Sequence, residues 1–251
     1  MNLTWADNPP HLDEKAKEEL LESYPAHQRD ARTKGTPSLG SGAIYYLPQE
    51  RYVLDPFPVP GHWPRAYGMD VGYAHTAAVW GALDPTSDVV YLYSDYYHSE
   101  ERGRIASTDY SSEDRGIAEP ITAIHARAIR SRGEWIHGVI DHVGISLGDG
   151  RKVLELYTDE GLRLELANKA VAAGLLNIQQ RLSAGGLKIF SSCRFLLKEM
   201  REYQRNENGK IIKENDHLCD AMRYLINNGM DYARPYFYAE VQSEGKIDFP
   251  Y

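Results

Sequence analysis

Cysteine, long apolar runs and positive charge are all scarce in this sequence, and each shortage removes a class of protein. Only two cysteines occur in 251 residues, Cys193 and Cys219, without the repeated spacing of a zinc site or a disulfide framework. A reducing compartment follows, with both thiols read as packing residues. No stretch approaches the roughly 18 apolar residues needed to cross a bilayer, and the opening MNLTWADNPP lacks a basic region followed by an apolar core. The expectation is a soluble, unexported protein without membrane contact. A formal net charge of -8 argues against a general nucleic-acid coat, yet leaves room for a local basic groove beside an acidic centre. What the chain does have, 42% hydrophobic and 25% charged residues, suits one sizeable globular domain or one domain with an added arm.

Residues 1–60 read as an N-terminal linker or arm. HLDEKAKEELLESYP has helical spacing, RDARTKGTPSLGSG is basic and turn-rich, and the prolines of DPFPVPGHWP rule out a sustained helix or central strand. From residue 61 to 235 the pattern is that of one α/β domain, and a tyrosine-rich tail, 236–251, follows. RAYGMDVG, TAAVWGAL and VVYLYSDYYH read as three strands joined by short turns, an antiparallel meander. PITAIHARAIRSRG carries Ile121, Ile124, Ala128 and Ile129 at helical spacing and precedes the strand WIHGVID. A helix between strands implies a right-handed crossover, which lays WIHGVID parallel to an earlier strand. LRLELA, AVAAGLLNIQQRL, LKIF and a run from Cys193 continue as strand, helix, strand and helix. EYQRNENGKIIKEN reads as a hairpin closing at Asn208-Gly209, and NDHLCDAMRYLINNG as a final helix. The expected fold is therefore α/β: a mixed sheet, three antiparallel strands followed by parallel ones, flanked by helices.

Three places on this scaffold hold candidate chemistry. Asp70 interrupts the first strand, where an isolated carboxylate costs several kcal/mol unless it is paired or bound to a cation. Asp141 ends the WIHGVID strand, in the crevice at strand carboxyl ends where open α/β sheets place ligands. On the final helix Leu218, Ala221, Met222, Leu225 and Ile226 share one side, while His217, Asp220 and Tyr224 fall on another. Each residue alone also suits a plain structural role: Asp70 and Asp141 as turn acids, Asp216 as the helix N-cap, His217 and Asp220 as solvated first-turn groups. Together they differ, because converging carboxylates repel one another unless divalent cations neutralise them, and oxygen-rich sites suit magnesium or manganese.

The order of YGMDVG, three hairpin-connected strands, a helix, VID at the next strand end and a late DHLCDAMRY resembles the ribonuclease H-like nuclease domain of the large terminase subunit of tailed bacteriophages. The segment PHLDEKAKEELLESYPAHQRDARTKGTPSLGSGAIY is similar to the one joining such a nuclease to its motor domain. The resemblance implies an endonuclease that cuts concatemeric viral DNA during packaging in the host cytoplasm. Its implied partners are double-stranded DNA, the terminase ATPase domain, the small terminase subunit and the portal. Asp70 matches the family's first acid, Asp141 the second, and His217 with Asp220 the terminal metal-binding pair; Asp70, Asp141 and Asp220 are the implied catalytic acids, and Asp216 is a second-rank ligand. GTPSLGSG lacks the Lys-Ser/Thr of a phosphate-cradling loop, so ATP hydrolysis is not expected of this chain.

The resulting expectation is two Mg²⁺ or Mn²⁺ ions at one scissile phosphate, Asp70 bridging them, Asp141 on one ion and His217 with Asp220 on the other. Arg194, Lys198, Arg201, Arg205, Lys210 and Lys213 are candidates for phosphate contacts, although a solvated helix face suits each of them equally. No base-reading motif occurs, which implies cutting without strong sequence preference. The same acids would serve a junction resolvase, and a non-catalytic docking module of a packaging motor would need them only as turn caps.

Overall fold

Residues 66 to 70, Ala-Tyr-Gly-Met-Asp, alternate small or polar with large apolar, and this period of two assigns the faces of the sheet. The computed structural model describes residues 42–72, 75–99, 121–141, 153–206 and 209–236. Its centre is the expected meander: β2 (Arg65–Val71), β3 (His75–Asp84) and β4 (Val89–Ser99) pair antiparallel in sequence order. Helix α1 (Ile121–Arg130) then leads to β5 (His137–Ile140), which pairs parallel with β2. Beyond it come α2 (Val153–Asp159), β6 (Arg163–Leu166), α3 (Val171–Ala184), β7 (Leu187–Phe190), α4 (Arg194–Glu202) and α5 (His217–Asn227). A two-residue strand, β1 (Val53–Leu54), completes a seven-stranded mixed sheet in the order β1-β7-β4-β3-β2-β5-β6.

Two elements differ from the sequence reading. β1 lies within the segment read as a linker, and it forms because β7 offers its free edge, with Val53 opposite Ile189. Upstream of it, Tyr45, Leu47 and Tyr52 are buried in the same core as the sheet. Helix α2 is only seven residues long, too short for a periodic signal, and its Tyr157 is anchored by burial. The expected hairpin survives as a bridge of Arg205 with Ile211, and Gly209 takes a positive φ of 73°. The helical run within residues 1–41, His142, Asn208 and the tail from 237 lie outside the described residues.

Tyr67, Met69, Ala78, Trp80 and Ile140 face α1 and α2, whereas Ala66, Ala77, Val79, Leu92, Leu187 and Ile189 face α3, α4 and α5. Each fully buried aliphatic side chain stabilises the domain by about 1.5–3 kcal/mol. Helix α5 lies deepest: every residue from Leu218 to Ile226 is buried. Gly68 makes that possible. A Cβ at this position would stand 2.0 Å from the Ala221 carbonyl oxygen, so only glycine lets the helix backbone rest on β2. Both cysteines are free and buried, in packing positions. No helix among the described residues is long and apolar enough to cross a membrane.

Candidate metal centre

The register of the sheet brings the two strand-end acids together. Met69 pairs with Ile140 in the parallel β2–β5 ladder, so the next residue of each strand, Asp70 and Asp141, emerges at the same level beyond the carboxyl ends. By the period of two, Asp70 points to the same face as Gly68, the face covered by α5. There it meets His217, the first residue of that helix, whose Nδ1 donates to Asp70 Oδ2 at 3.2 Å. A second imidazole reaches the same oxygen: His75 Nε2, from the start of β3, donates to Asp70 Oδ2 at 3.3 Å. The two rings stack with centroids 3.3 Å apart. One ligand atom from each of Asp70, His75 and His217 lies within 4.8 Å of the others, a spacing that could hold a metal ion.

Burial alone would raise the Asp70 carboxyl, but the hydrogen bonds and charges of His217 and His75 outweigh it and hold the carboxyl below its ordinary value. Burial likewise works to lower His217, and the Asp70 contact reverses the sign and raises it. Asp70 therefore carries its negative charge at neutral pH, as a cation ligand must.

The other two expected acids stand outside that three-residue group, each paired with a basic side chain. Asp141 Oδ1 pairs with Lys169 at 3.0 Å, and its Oδ2 accepts the Tyr224 hydroxyl at 3.1 Å. Asp220 is paired twice, with Arg223 at 2.8 Å and with Lys213 at 3.1 Å. Tyr224 links the set: burial first, then the charges of Asp70, Asp220 and Asp141, push its hydroxyl pKa far up. Of the three acids, it is Asp141 that the Tyr224 hydroxyl touches.

Asp216 stands at the N-cap position of α5, but its side chain makes no cap hydrogen bond; it pairs with Lys213 at 2.9 Å. The cap comes from a distant residue instead. Glu199 on α4 accepts the backbone N–H groups of Leu218 at 2.7 Å and Cys219 at 3.2 Å through one oxygen, Oε2. Burial pushes the Glu199 carboxyl up to about 8, despite those two N–H donors. α4 is gripped in the same manner, because Asp95 Oδ2 on β4 accepts the N–H groups of Phe195 and Leu196, both at 3.0 Å. In both grips a single side-chain oxygen satisfies two of the first N–H groups of a helix, which have no partner within the helix itself.

A model of the family described as the terminase RNaseH-like domain matches residues 118–229. The large terminase subunit of Salmonella phage P22 is 30% identical over 234 residues, which is 89% of this chain and 43% of that protein. The nuclease domain of the P22 large terminase superimposes with a TM-score of 0.65 at 25% identity, covering 80% of this chain and 98% of that one. The chain is a terminase RNaseH-like nuclease domain of the P22 kind. Its fold is that of the ribonuclease H-like nuclease domain, and it spans less than half the length of the P22 subunit. The nuclease domain of the large terminase of phage G20c, solved with bound cobalt, shares the fold at 12% identity and a TM-score of 0.50, over 75% of this chain and 98% of that one.

In this terminase domain the expected phosphate-binding residues divide in two. Arg194, Lys198 and Arg201 are exposed along one side of α4, and Arg205 and Lys210 are exposed around the bridge that follows, where Arg205 donates to the Gly209 carbonyl at 2.9 Å. Lys213 is instead committed to Asp216 and Asp220. His75, Lys169, Glu199 and Tyr224 are the site residues that sequence reasoning did not assign a role. Tyr224 had been placed on the correct helix face. His75 was within reach of a register count, since the turn closed by the Gly72 N–H to His75 carbonyl bond sets residues 75, 77 and 79 on the face of Asp70.

Proposed function

We propose that this terminase nuclease domain is a metal-dependent DNA endonuclease that cuts concatemeric viral DNA during genome packaging, by two-metal phosphodiester hydrolysis without strong sequence preference. The observation that carries the reading is the convergence of two imidazoles, His75 and His217, on a single Asp70 oxygen, with Asp141 at the same level of the sheet on the neighbouring strand. The donor set fits divalent cations: carboxylate oxygens and imidazole nitrogens, in a place where ammonium and guanidinium groups now balance the acids.

Asp70 is the central ligand, with His217 from α5 beside it. Asp141 and Asp220 complete the set from either side, and the Tyr224 hydroxyl fixes the orientation of the Asp141 carboxylate. Mg²⁺ or Mn²⁺ held by these residues would supply an activated water and stabilise the departing 3′ oxygen. Arg194, Lys198, Arg201, Arg205 and Lys210 lead the phosphate backbone toward the acids without reading bases. Lys213, paired here with Asp216 and Asp220, would be released to the phosphate backbone if a cation were held at those acids. By family, the ATPase domain, the small terminase subunit and the portal are the partners, and the host cytoplasm is the place of action.

A plasmid-nicking assay with Mg²⁺, Mn²⁺ or EDTA tests the reading. Cutting is expected with either ion, to stop with EDTA, and to be lost in Asp70→Ala and Asp141→Ala. Undiminished cutting by Asp70→Ala would remove the proposed centre, and a strong preference for branched over plain linear duplex would point to a junction resolvase.

A further inference from the structure

We propose that His75 is itself a ligand of the cation held at Asp70, and that this corner of two imidazoles and one carboxylate makes the site prefer a borderline transition ion such as Co²⁺ over Mg²⁺. The inference rests on the metal-dependent reading above and deepens it.

The first support is placement. His75 is delivered by β3, a third strand that no acid of the site occupies, and its Nε2 reaches the same Asp70 oxygen as His217 Nδ1. Two imidazole nitrogens facing one carboxylate oxygen is the arrangement a shared cation would organise. The second is the preparation of space around the ring. A Cβ on Gly72 would lie 1.9 Å from His75 Cε1 and 2.5 Å from its Nε2, so the ring lies over bare glycine backbone and any other residue at 72 would evict it. The third is restraint by a neighbouring ring: the His217 imidazole stacks on His75 at 3.3 Å and is itself stacked with Tyr97 at 6.2 Å. A solvated histidine after a turn needs none of this.

Ligand chemistry then gives the ion class. Mg²⁺ demands octahedral oxygen ligands and retains its waters, whereas imidazole suits the first-row transition ions, with affinity rising from Mn²⁺ to Co²⁺ and beyond. A site of acids alone would show this bias weakly. Two nitrogens beside Asp70 strengthen it.

The test is isothermal titration of the whole chain with Co²⁺ and, separately, Mg²⁺, together with NMR of ¹⁵N-labelled imidazoles during Co²⁺ addition. His75→Ala and His75→Gln are expected to weaken Co²⁺ binding by about 10- to 100-fold, the scale on which loss even of an outer partner acts, and to change Mg²⁺ binding far less. Paramagnetic shift and broadening of the His75 ring nitrogens in the unaltered protein is expected whether or not a variant folds. Folded variants with an unchanged Co²⁺ to Mg²⁺ preference, or a His75 ring unaffected by Co²⁺, would overturn the proposal. Asp70→Ala separates the two readings: loss of Co²⁺ binding there, with none in the His75 variants, refutes only the role of His75, whereas intact binding in Asp70→Ala refutes the metal centre itself.

Discussion

Substituting Gly68 by alanine adds one methyl group at the contact that seats α5 on β2. The new Cβ would stand 2.0 Å from the Ala221 carbonyl oxygen and 2.8 Å from the Leu225 nitrogen, the two ends of one helical hydrogen bond. Such contacts essentially never fall below 3.0 Å, so the helix must retreat by at least 1.0 Å at that point. Backbone cannot rotate away as a flexible side chain does. Overpacking of this kind costs about 1–3 kcal/mol, read as a lower urea midpoint with the same slope, since one methyl group hardly changes the surface exposed on unfolding. The retreat also carries His217, Asp220 and Tyr224 away from Asp70 and Asp141. A 1 Å misplacement in a catalytic constellation costs on the order of 100-fold in rate, so nicking should fall by about that factor and Mn²⁺ binding should weaken. Gly61→Ala, where nothing lies within 4 Å of the added Cβ, is the control and should match the parent protein. A Gly68→Ala protein with parental stability and Mn²⁺ affinity would refute the close-approach argument.

Further substitutions probe the charges around the centre. Glu199 titrates normally near 4.5 and is pushed to about 8 by burial, so between those values the folded protein holds a proton that the unfolded chain has released. Its contribution to stability is full below 4.5 and is lost as pH rises toward 8, by about 1.4 kcal/mol per pH unit. Glu199→Gln keeps an oxygen for the two helix N–H groups and should flatten that slope in urea titrations from pH 5 to 8; an unchanged slope would assign it to other groups. Arg223→Met leaves Asp220 without its 2.8 Å partner and should destabilise the fold by roughly 3 kcal/mol, whereas a loss too small to measure would mean that Lys213 neutralises Asp220 unaided. Lys213→Met frees the carboxylates of Asp216 and Asp220 and should tighten Mn²⁺ binding in calorimetry; weaker binding would show that the lysine does not compete with the ion.

Much of this architecture was legible in order and spacing. The three hairpin strands, the parallel β5 and the helix that carries His217 all announce themselves, because a period of two or of 3.6 in apolar residues reflects a buried face directly. Asp70 and Asp141 were legible for the same reason, as acids at the ends of apolar strands that a crossover makes neighbours. His75 was not, because a lone histidine after a turn carries no pattern, and only the pairing of β2 with β3 carries it back to Asp70. Glu199 was hidden more deeply. Asp216 occupied the local capping position, and nothing in the chain links residue 199 to the N–H of residue 218 until α4 and α5 pack together. β1 was masked by the prolines around it, since its strand character is conferred by the edge of β7 rather than by its own two residues.

The pair of carboxylate grips, from Asp95 to the start of α4 and from Glu199 to the start of α5, ties the position of His217 back to the middle of the sheet. Both grips close on main-chain N–H groups, so they are indifferent to which side chains stand at 195, 196, 218 and 219. What passes along them is location alone. An error introduced at Asp95 would therefore be inherited, step by step, at the far end of the relay, and a displaced His217 would originate on a strand that carries none of Asp70, Asp141 and Asp220.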